Sequence, residues 1–407
     1  MEWNWARSHA YRAVRVARPS TIPEAQEIVA AAEHVRPLGS RHSFTDVADS
    51  AGILLSTRAI PMDLVLDEAE RTVTVGAGAL YGEIATELDA RGWALANLAS
   101  LPHITVGGAV ATGTHGSGDH NGSLATAVRA VELIGPDGAL RRVARGEPDF
   151  AGSVVALGAL GVAVRVTLDV EPAYAVAQAV YRGLPWSVAT AEFDAVTASA
   201  YSVSLFLDWV SDEVDQVWLK SRTSLPGTLF GAAPATTTVH MLAGGRPESV
   251  TPQLGAAGPW HERLPHFRLA FTPSRGEELQ SEYLLPRPAA AEAFAALRRL
   301  GPSIKPVLQV SELRTVAADD LWLSGAYGTD AVGIHFTWVK DPDRVYALLP
   351  AIEAALLPLG ARPHWGKCFL TAPRYPRGAD FAALRARVDP TGTFGNAFLD
   401  RTLPAAT

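Results

Sequence analysis

The sequence of 407 residues contains one cysteine, Cys368, and only four lysines against 31 arginines. A single cysteine excludes an internal disulfide and a cysteine-rich metal site, and it fits a reducing compartment, so we expect a cytoplasmic protein. The net charge is -7, so the chain lacks the excess of basic residues that is typical of proteins that bind nucleic acids or anionic membranes. The longest apolar run, 154–164, is too short to span a bilayer, and the amino-terminal residues do not resemble a secretory signal. We therefore expect neither a nucleic acid nor a membrane as partner, and a chain that acts as a monomer.

What the sequence does contain is a large apolar fraction, 48%, with 19% charged residues, which supports a substantial core. Its length predicts two or three domains. Residues 1–170 mix short strands and helices, whereas residues 171–370 alternate like strands of an antiparallel sheet backed by helices, and residues 371–407 follow as a C-terminal segment. The fold class predicted is α+β.

Periodicity, caps and turn residues predict the elements within these parts. In the first part they predict helices near 21–34, 80–91 and 150–157 and strands at 35–38, 71–75, 127–134, 139–144 and 162–170. In the second part they predict strands at 201–209, 214–221, 307–316 and 332–339, helices near 289–300 and 344–357, and loops across 223–260.

The first part contains three glycine-rich segments, and two of them, 39–44 and 76–82, follow predicted strands. In 76–82 the third glycine comes one residue late for a dinucleotide fingerprint, which argues against NAD. The segment 106–118 holds five glycines and three hydroxyl residues, a composition that suits a backbone cradle for a pyrophosphate, although a plain loop is the alternative. The third, 39–44, could present amides to the same phosphates; His42 within it could equally be an ordinary histidine at the edge of the core.

Two other kinds of site find little support. His103, His115 and His120 lack carboxylate–histidine spacing, so we expect no metal. A Ser-His-Asp hydrolase is disfavoured because no Gly-x-Ser-x-Gly elbow ends a strand.

The predicted strands of the second part place polar residues on one face. Glu312 and Arg314 are two residues apart, as are His335 and Thr337, so each pair shares a face of its strand. If the two strands are neighbours in register, the four side chains line a polar chamber; the alternative is an exposed sheet face with a structural ion pair. Lys367 lies between aromatic residues, where it either extends toward solvent or occupies a partly buried site that lowers its pKa.

Taken together, these motifs resemble the vanillyl-alcohol-oxidase-type flavoproteins and, within them, the alditol (xylitol) oxidases. The matching segments occur in family order over nearly the whole chain, at 4–6, 39–44, 99–104, 107–118 with 121–124, 157–162, 312–317, 335–338, 364–367 and 389–396. Those around Ser100, Glu312 and Lys367 are the more specific to polyol oxidases. Arg41 departs from the small residue that such proteins often carry at this point.

The resemblance implies an FAD-binding domain over 1–170, an antiparallel cap (substrate) domain over 171–370, and a segment over 371–407 that returns to the FAD domain. It also implies that FAD is covalently attached through His42. The residues it implies at the cofactor are Gly39, Ser40, Arg41, His42, Ser43, Ala99, Ser100, Gly107, Gly108, Thr112, Gly113, Thr114, His115, Gly116, Ser117, Gly122, Gly158, Gly161, Val162, His364 and Asn396.

The activity implied by the resemblance is oxidation of a primary alcohol of an alditol such as xylitol or sorbitol, with hydride transfer to flavin N5 and reduction of O₂ to H₂O₂. Arg314 and Lys367 would supply positive charge, His335 would accept the proton, and Glu312 would orient Arg314 and accept a substrate hydroxyl, while Ser100 and Thr337 would read further hydroxyls. Ala99 would leave room for oxygen. The alternatives are an aldonolactone oxidase of the same superfamily and a non-redox polyol-binding protein.

Overall fold

The computed structural model describes residues 2–271 and 276–403. Strands of the N-terminal part are β1 (Arg15–Ala17), β2 (Val35–Pro37), β3 (Ile53–Leu55), β4 (Val65–Asp67), β5 (Thr72–Gly76), β6 (Trp93–Ala94), β7 (Val128–Ile134), β8 (Leu140–Ala144) and β9 (Val162–Asp169). The later strands are β10 (Glu171–Pro172), β11 (Ala175–Arg182), β12 (Leu184–Pro185), β13 (Ser202–Leu207), β14 (Glu213–Val214), β15 (Gln216–Ser221), β16 (Ala233–Pro234), β17 (Gly258–Pro259), β18 (Glu278–Pro286), β19 (Leu308–Val316), β20 (Ala331–Val339) and β21 (Arg362–Pro363).

The α-helices in the described ranges are α1 (Ile22–Ala30), α2 (Tyr81–Ala90), α3 (Val106–Ala111), α4 (Phe150–Ser153), α5 (Trp186–Ala191), α6 (Phe193–Thr197), α7 (Ala290–Ile304), α8 (Pro342–Leu356), α9 (Gly378–Val388) and α10 (Ala397–Thr402). The start of α1 follows from its sequence: Thr21 accepts a hydrogen bond from the Glu24 amide, and a proline occupies the first turn. Over the described part of the chain, none of these helices has the length and apolarity to cross a membrane.

Three sheets of three or more strands organise the described residues, and the pairs β6–β10 and β12–β14 form two further two-stranded sheets. Strands β1, β3 and β2 form a parallel three-stranded sheet, and β4-β5-β9-β7-β8 form an antiparallel five-stranded sheet. The large antiparallel sheet has the order β16-β11-β15-β13-β19-β20-β18-β21, with β17 beside β11. The α+β class expected from the sequence is confirmed.

The large sheet has one apolar face, which is covered by helices. Ile334, Phe336 and Trp338 alternate along β20 on this face and are fully buried. They belong to one core cluster with Phe294 of α7 and Leu349 of α8. Because side chains alternate along a strand, packing this face against helices turns the residues between them toward the opposite face.

Most predicted elements are present within a few residues of their expected bounds, but the helix expected over 150–157 is wrong beyond Ser153. The predicted helix could not extend through Leu157 and Gly158 in any case, because both adopt left-handed backbone conformations, with φ of 54° and 69°. Two long strands of the large sheet, β11 and β18, were not identified from the sequence. Residues 223–260 are mainly irregular, as expected, with only the short β16 and β17 and 3₁₀ turns.

A buried arginine joins the C-terminal segment to the N-terminal part. Arg36 Nη1 donates to the carbonyls of Phe394 and Gly158 at 2.7 and 3.0 Å, and Nη2 donates to Val47 and Leu157 at 2.6 and 2.5 Å. Burial lowers the pKa of Arg36 to about 9, so the group is cationic at neutral pH. Four carbonyls from three separate segments therefore converge on one side chain.

Candidate functional site

The main cavity lies between the loops of the N-terminal part and the polar face of the large sheet. Its walls come from residues 36–44, 99–101, 104–115 and 153–161 on one side and from strands β18, β19 and β20 with residues 364–367 on the other. All the residues expected to act on substrate line it: Ser100, Glu312, Arg314, His335, Thr337 and Lys367.

Most of the residues expected at the cofactor also line this cavity. They are Gly39, Ser40, Arg41, His42, Ser43, Ala99, Ser100, Gly107, Gly108, Thr112, Thr114, His115, Gly158, Gly161 and His364. Six others are not among the lining residues: Gly113, Gly116, Ser117, Gly122, Val162 and Asn396. Within the segment 107–118, the lining residues therefore lie between 107 and 115.

Several of these six have a structural place elsewhere. Asn396 caps α10 and donates its amide to the carbonyls of Asp46, Val47 and Asp49. Val162 is a fully buried core residue of β9. Ser117 donates to the carbonyl of Val203, which attaches the far end of the glycine segment to the large sheet.

Two glycine loops meet at one end of the cavity. A Cβ on Gly39 would lie 2.6 Å from Thr105 Oγ1, and one on Gly108 would lie 2.9 Å from the same atom. The Ser40 amide donates to Thr105 Oγ1, and the Thr105 amide donates to Ser40 Oγ, both at 3.3 Å. Glycine is therefore required here because it lets the two backbones approach each other beside the cavity.

Not every amide of the glycine segment is available to a ligand. The first two of α3, Val106 and Gly107, donate to the carbonyls of Ala79 and Ala77 at 2.9 and 2.8 Å. Thr112 and Thr114 line the cavity, and their hydroxyl oxygens lie 3.3 Å apart. The hydroxyl pair and the remaining backbone of the loop are the groups that can contact a bound anion.

His42 occupies the loop that follows β2. Its ring stacks on Trp5 with 5.1 Å between centroids, and its buried Nδ1 has no hydrogen-bond partner among the described residues. Burial, assisted by the nearby charges of His103 and Lys367, lowers the pKa of His42 to about 4, so the imidazole is neutral. Arg41, the residue that departs from the family pattern, has φ of 66° in the left-handed region and pairs its guanidinium with Glu2.

The polar face of the large sheet is set by strand register. Glu312 of β19 pairs with His335 of β20, which in turn pairs with Glu282 of β18. In an antiparallel ladder, directly opposed residues point to the same side. The two strands expected to be neighbours are therefore neighbours in register, and a third strand adds a second carboxylate.

Arg314 lies at the centre of a buried charge cluster. Its Nη2 is 2.7 Å from Glu282 Oε1, whereas its Nε is 3.7 Å from Glu312 Oε1. Its principal partner is thus Glu282 rather than Glu312, which was expected to orient it. Its Nη1 lies 3.5 Å from Ser100 Oγ, on the cavity wall.

Glu282 is shared by two histidines as well. Its Oε1 lies 3.1 Å from His115 Nε2, and its Oε2 lies 3.4 Å from His335 Nδ1. Burial acts to raise the pKa of Glu282, but Arg314 and His115 outweigh it and hold the pKa well below its usual range. The same balance, with Arg314 and His266 as partners, holds the pKa of Glu312 below its usual range.

His335 and Lys367 complete the polar wall. Burial, and then the charge of Lys367, lowers the pKa of His335 below 6.5. With Nδ1 facing the Glu282 carboxylate, the neutral ring carries its proton there and leaves Nε2 as an acceptor, 3.2 Å from the Thr337 hydroxyl. Lys367 donates to Gln280 Oε1, and burial lowers its pKa.

Sequence reasoning missed Glu282, Gln280, His266 and Lys220. For the first two a signal exists: in Glu278-Leu279-Gln280-Ser281-Glu282 the polar and other residues alternate as in a strand with one polar face. His266 has no such signal because it follows an irregular loop. Lys220 lies in a predicted strand, but lysine is rarely buried, so the sequence does not indicate that its side chain belongs to the site.

The chain matches two family models. The FAD binding domain model matches residues 13–144, and the D-arabinono-1,4-lactone oxidase model matches residues 272–402. An alditol oxidase from Streptomyces sp. (strain IKD472 / FERM P-14339) is 49% identical over 406 residues, covering 97% of both chains. The L-gulonolactone oxidase of Bos taurus is 26% identical, covering 98% of this chain and 97% of its own.

Solved structures show the same fold. The crystal structure of cholesterol oxidase from B. sterolicum superposes with a TM-score of 0.77, at 16% identity, covering 99% of this chain and 96% of that chain. At this identity the likeness concerns the fold alone: an N-terminal part with a cavity beneath a large antiparallel sheet.

Replacing Glu282 should weaken the protein in a pH-dependent way. A carboxylate whose folded pKa lies below its unfolded value stabilises the fold above the unfolded pKa, and that stabilisation is lost as the pH falls toward the folded pKa. We expect Glu282→Gln to lower the free energy of unfolding by about 3 kcal/mol at pH 7, because Arg314 loses its buried partner. The difference should narrow between pH 5 and pH 3, measured by urea unfolding.

Glu27→Gln, at an exposed position of α1, is the matched control and should stay within about 0.5 kcal/mol of the parent throughout. A difference for Glu282→Gln that is constant with pH would show that the charge of Glu282 does not stabilise the fold.

Proposed function

This chain belongs to the vanillyl-alcohol-oxidase-type family of FAD flavoproteins, and from that membership we propose that it oxidises alditols, with xylitol and sorbitol as substrates. It is an FAD-dependent oxidase of the alditol oxidase type. In balance, an alditol and O₂ give an aldose and H₂O₂: the alcohol carbon loses a hydride, its hydroxyl loses a proton, and oxygen gains two electrons and two protons.

The observation that carries this proposal is the composition of the chamber wall. Glu312, Arg314, His335, Thr337 and Lys367 all face one cavity. An apolar alcohol would leave the remaining donors and acceptors of these buried groups unsatisfied, whereas a chain of hydroxyl groups can satisfy them in turn. The wall therefore favours a polyol.

The cavity also fits FAD. Glycine is required at Gly39 and Gly108, and the unpartnered Nδ1 of His42 faces no protein donor or acceptor in the described structure. We propose that the cofactor is held by residues 39–43 and by residues 99–100, 107–108, 112–115, 158–161 and 364, with the two threonine hydroxyls of 112 and 114 toward its phosphates. When bound, FAD supplies the hydride acceptor and passes the electrons on to O₂.

The side chains of the wall divide the remaining work. His335 Nε2 is placed to take the hydroxyl proton, since its Nδ1–H faces Glu282 and the resulting imidazolium would be stabilised by that carboxylate. Arg314 and Lys367 stabilise the negative charge that develops on the alcohol oxygen. Glu312 accepts one substrate hydroxyl, and Ser100 and Thr337 contact others.

A lactone oxidase is the second candidate, because the lactone oxidase model matches residues 272–402, which include most of the substrate wall. The relatives named for lactone chemistry that match nearly the whole chain are 25–26% identical, and two others reach 31% and 33% over about two fifths of it, against 49% over 97% of the chain for the alditol oxidase. The alditol reading is therefore the stronger one.

We further propose that the FAD tether is a bond from the unpartnered Nδ1 of His42 to the 8-methyl carbon of the flavin. Forming it would remove one hydrogen from the methyl carbon and one from the imidazole, and this two-electron oxidation would reduce O₂, the acceptor of the proposed reaction, to H₂O₂. Neutral imidazole is the form that can make this bond, and burial keeps His42 neutral.

The chain is proposed to work as a cytoplasmic monomer with domains over 1–170 and 171–370 and a returning segment over 371–407. Phe394 and Asn396 in that segment bond to residues 36 and 46–49 of the first domain, which supports this division.

Anaerobic mixing with xylitol should bleach the visible absorbance of the oxidised enzyme, and in air each xylitol consumed should yield one H₂O₂. Both follow from hydride loss at a primary alcohol. In steady-state turnover with O₂, the kcat/KM for L-gulono-1,4-lactone should be at least about 100-fold lower than that for xylitol, because the lactone offers fewer hydroxyls to the wall. A higher kcat/KM for the lactone would assign the chain to lactone oxidation instead.

Acid precipitation tests the tether. We expect the pellet of the parent enzyme to stay yellow, whereas His42→Ala releases its flavin into the supernatant. His103→Ala, a neighbouring histidine that contacts the Leu269 carbonyl, serves as the control and should retain colour in the pellet. Free flavin from the parent would disprove the covalent bond without affecting the alditol assignment.

The pH dependence of kcat/KM tests the role of His335. The neutral ring is the active form and burial lowers its pKa from the usual histidine value, so activity should hold through neutral pH and fall only in more acidic solution. His335→Gln should lose about 100-fold in kcat and lose this acid limb. His120→Gln, an exposed histidine, should keep the parent profile. An acid limb that survives in His335→Gln would assign the proton to another group.

A further inference from the structure

We infer that His266, held by Lys220, is a positioning residue that orients Glu312 to accept a hydroxyl of the alditol, an inference that rests on the proposed function. Of the three buried residues Lys220, His266 and Glu312, only Glu312 is among the residues that line the cavity. The group lies on the cavity-facing side of the large sheet, beyond β19.

A one-way series of hydrogen bonds runs through these three residues. Lys220 Nζ donates to the carbonyls of Leu264 and Pro265 and to His266 Nδ1, the last at 3.0 Å. An ammonium has three N–H donors, so all three are used. The ionised Glu312 carboxylate can only accept, so the proton of the neutral imidazole lies on Nε2, which donates to Glu312 Oε1 at 2.9 Å, and Nδ1 accepts from Lys220.

Two aromatic rings fix the plane of the imidazole. Trp218 contacts His266 edge-on with centroids 5.0 Å apart, and Phe206 does so at 5.6 Å. Phe206 lies directly opposite Glu312 in the β13–β19 pairing, so the clamp and the carboxylate share one register. The sheet therefore determines the orientation of the His266 ring, and the hydrogen bond from that ring in turn orients the Glu312 carboxylate.

Charge in the group agrees with this direction of donation. Burial, together with the charge of Lys220, lowers the pKa of His266 to about 4, which keeps the ring neutral. Burial lowers the pKa of Lys220 to about 7, against an opposing effect of Glu312. Glu312 remains ionised, and within the described residues no donor reaches its Oε2, although Glu312 lines the cavity. That oxygen is available to a substrate hydroxyl.

The same short segment also holds Ser100. The amides of His266 and Phe267 donate to the Ser100 carbonyl at 3.1 and 3.2 Å. Ser100 and Glu312 approach the cavity from different parts of the chain, so the segment around His266 fixes their separation. One loop therefore positions both Ser100 and Glu312, the two groups proposed to contact substrate hydroxyls.

Paired substitutions at His266 separate the two bonds of the ring. The amide of His266→Gln reaches the position of Nε2 and keeps a donor to Glu312, whereas that of His266→Asn reaches only the position of Nδ1. We expect His266→Asn to raise KM for xylitol at least tenfold with kcat changed less than threefold, and His266→Gln to stay within threefold in both. The Kd of xylitol for the dithionite-reduced enzyme, measured by calorimetry, should show the same order without turnover.

A double-substitution cycle decides whether the effect passes through Glu312. In a Glu312→Ala background, His266→Asn should change the Kd less than twofold; an undiminished tenfold effect there, or no effect in the parent background, would overturn the inference. Should His266→Asn fail to fold, Lys220→Met replaces it in the same cycle, with an expected rise of at least threefold in the parent background and the same contradicting outcomes. If the parent itself binds no xylitol, the proposed function fails instead.

Discussion

The buried ion pair between Arg314 and Glu282 is the constraint on which the site depends. Two charges in a protein interior are costly unless each is fully paired, and here one carboxylate serves the arginine, His115 and His335 at once. The pairing fixes the cation at the cavity wall and sets the tautomer of His335. Gly333, opposite Arg314 in β20, leaves the space that His115 and Glu282 occupy, since a Cβ there would lie 3.3 Å from both.

The sequence predicted the part of this arrangement that follows from strand periodicity. Glu312 with Arg314, and His335 with Thr337, were placed on shared faces, and the register β19–β20 is the one that the polar chamber requires. What it could not supply is the third strand. Glu282 enters the site only through the β18–β20 pairing, and His266 only through an irregular loop folded over the sheet. Local patterns do not determine which distant segments pair.

The glycine segment shows a second difference between pattern and structure. Its composition suggested a continuous backbone cradle, yet the amides of Val106 and Gly107 donate hydrogen bonds to the carbonyls of Ala79 and Ala77. Gly39 and Gly108 serve instead to let two loops meet around Thr105. Glycine here has a packing function beside the cofactor cavity, and Thr112 and Thr114 provide polar groups for the ligand. The proposed FAD site therefore uses these residues for a partly different physical reason than their composition suggested.

In the proposed function, the polar face of the large sheet presents a polyol to the flavin. A crystal structure of the dithionite-reduced enzyme with xylitol tests this most directly, because reduced flavin cannot accept a hydride. We expect the terminal hydroxyl to lie within hydrogen-bond distance of His335 Nε2 and Lys367 Nζ, and further hydroxyls to contact Arg314 and Glu312 Oε2. Xylitol bound elsewhere, or within the cavity but away from this face, would contradict it.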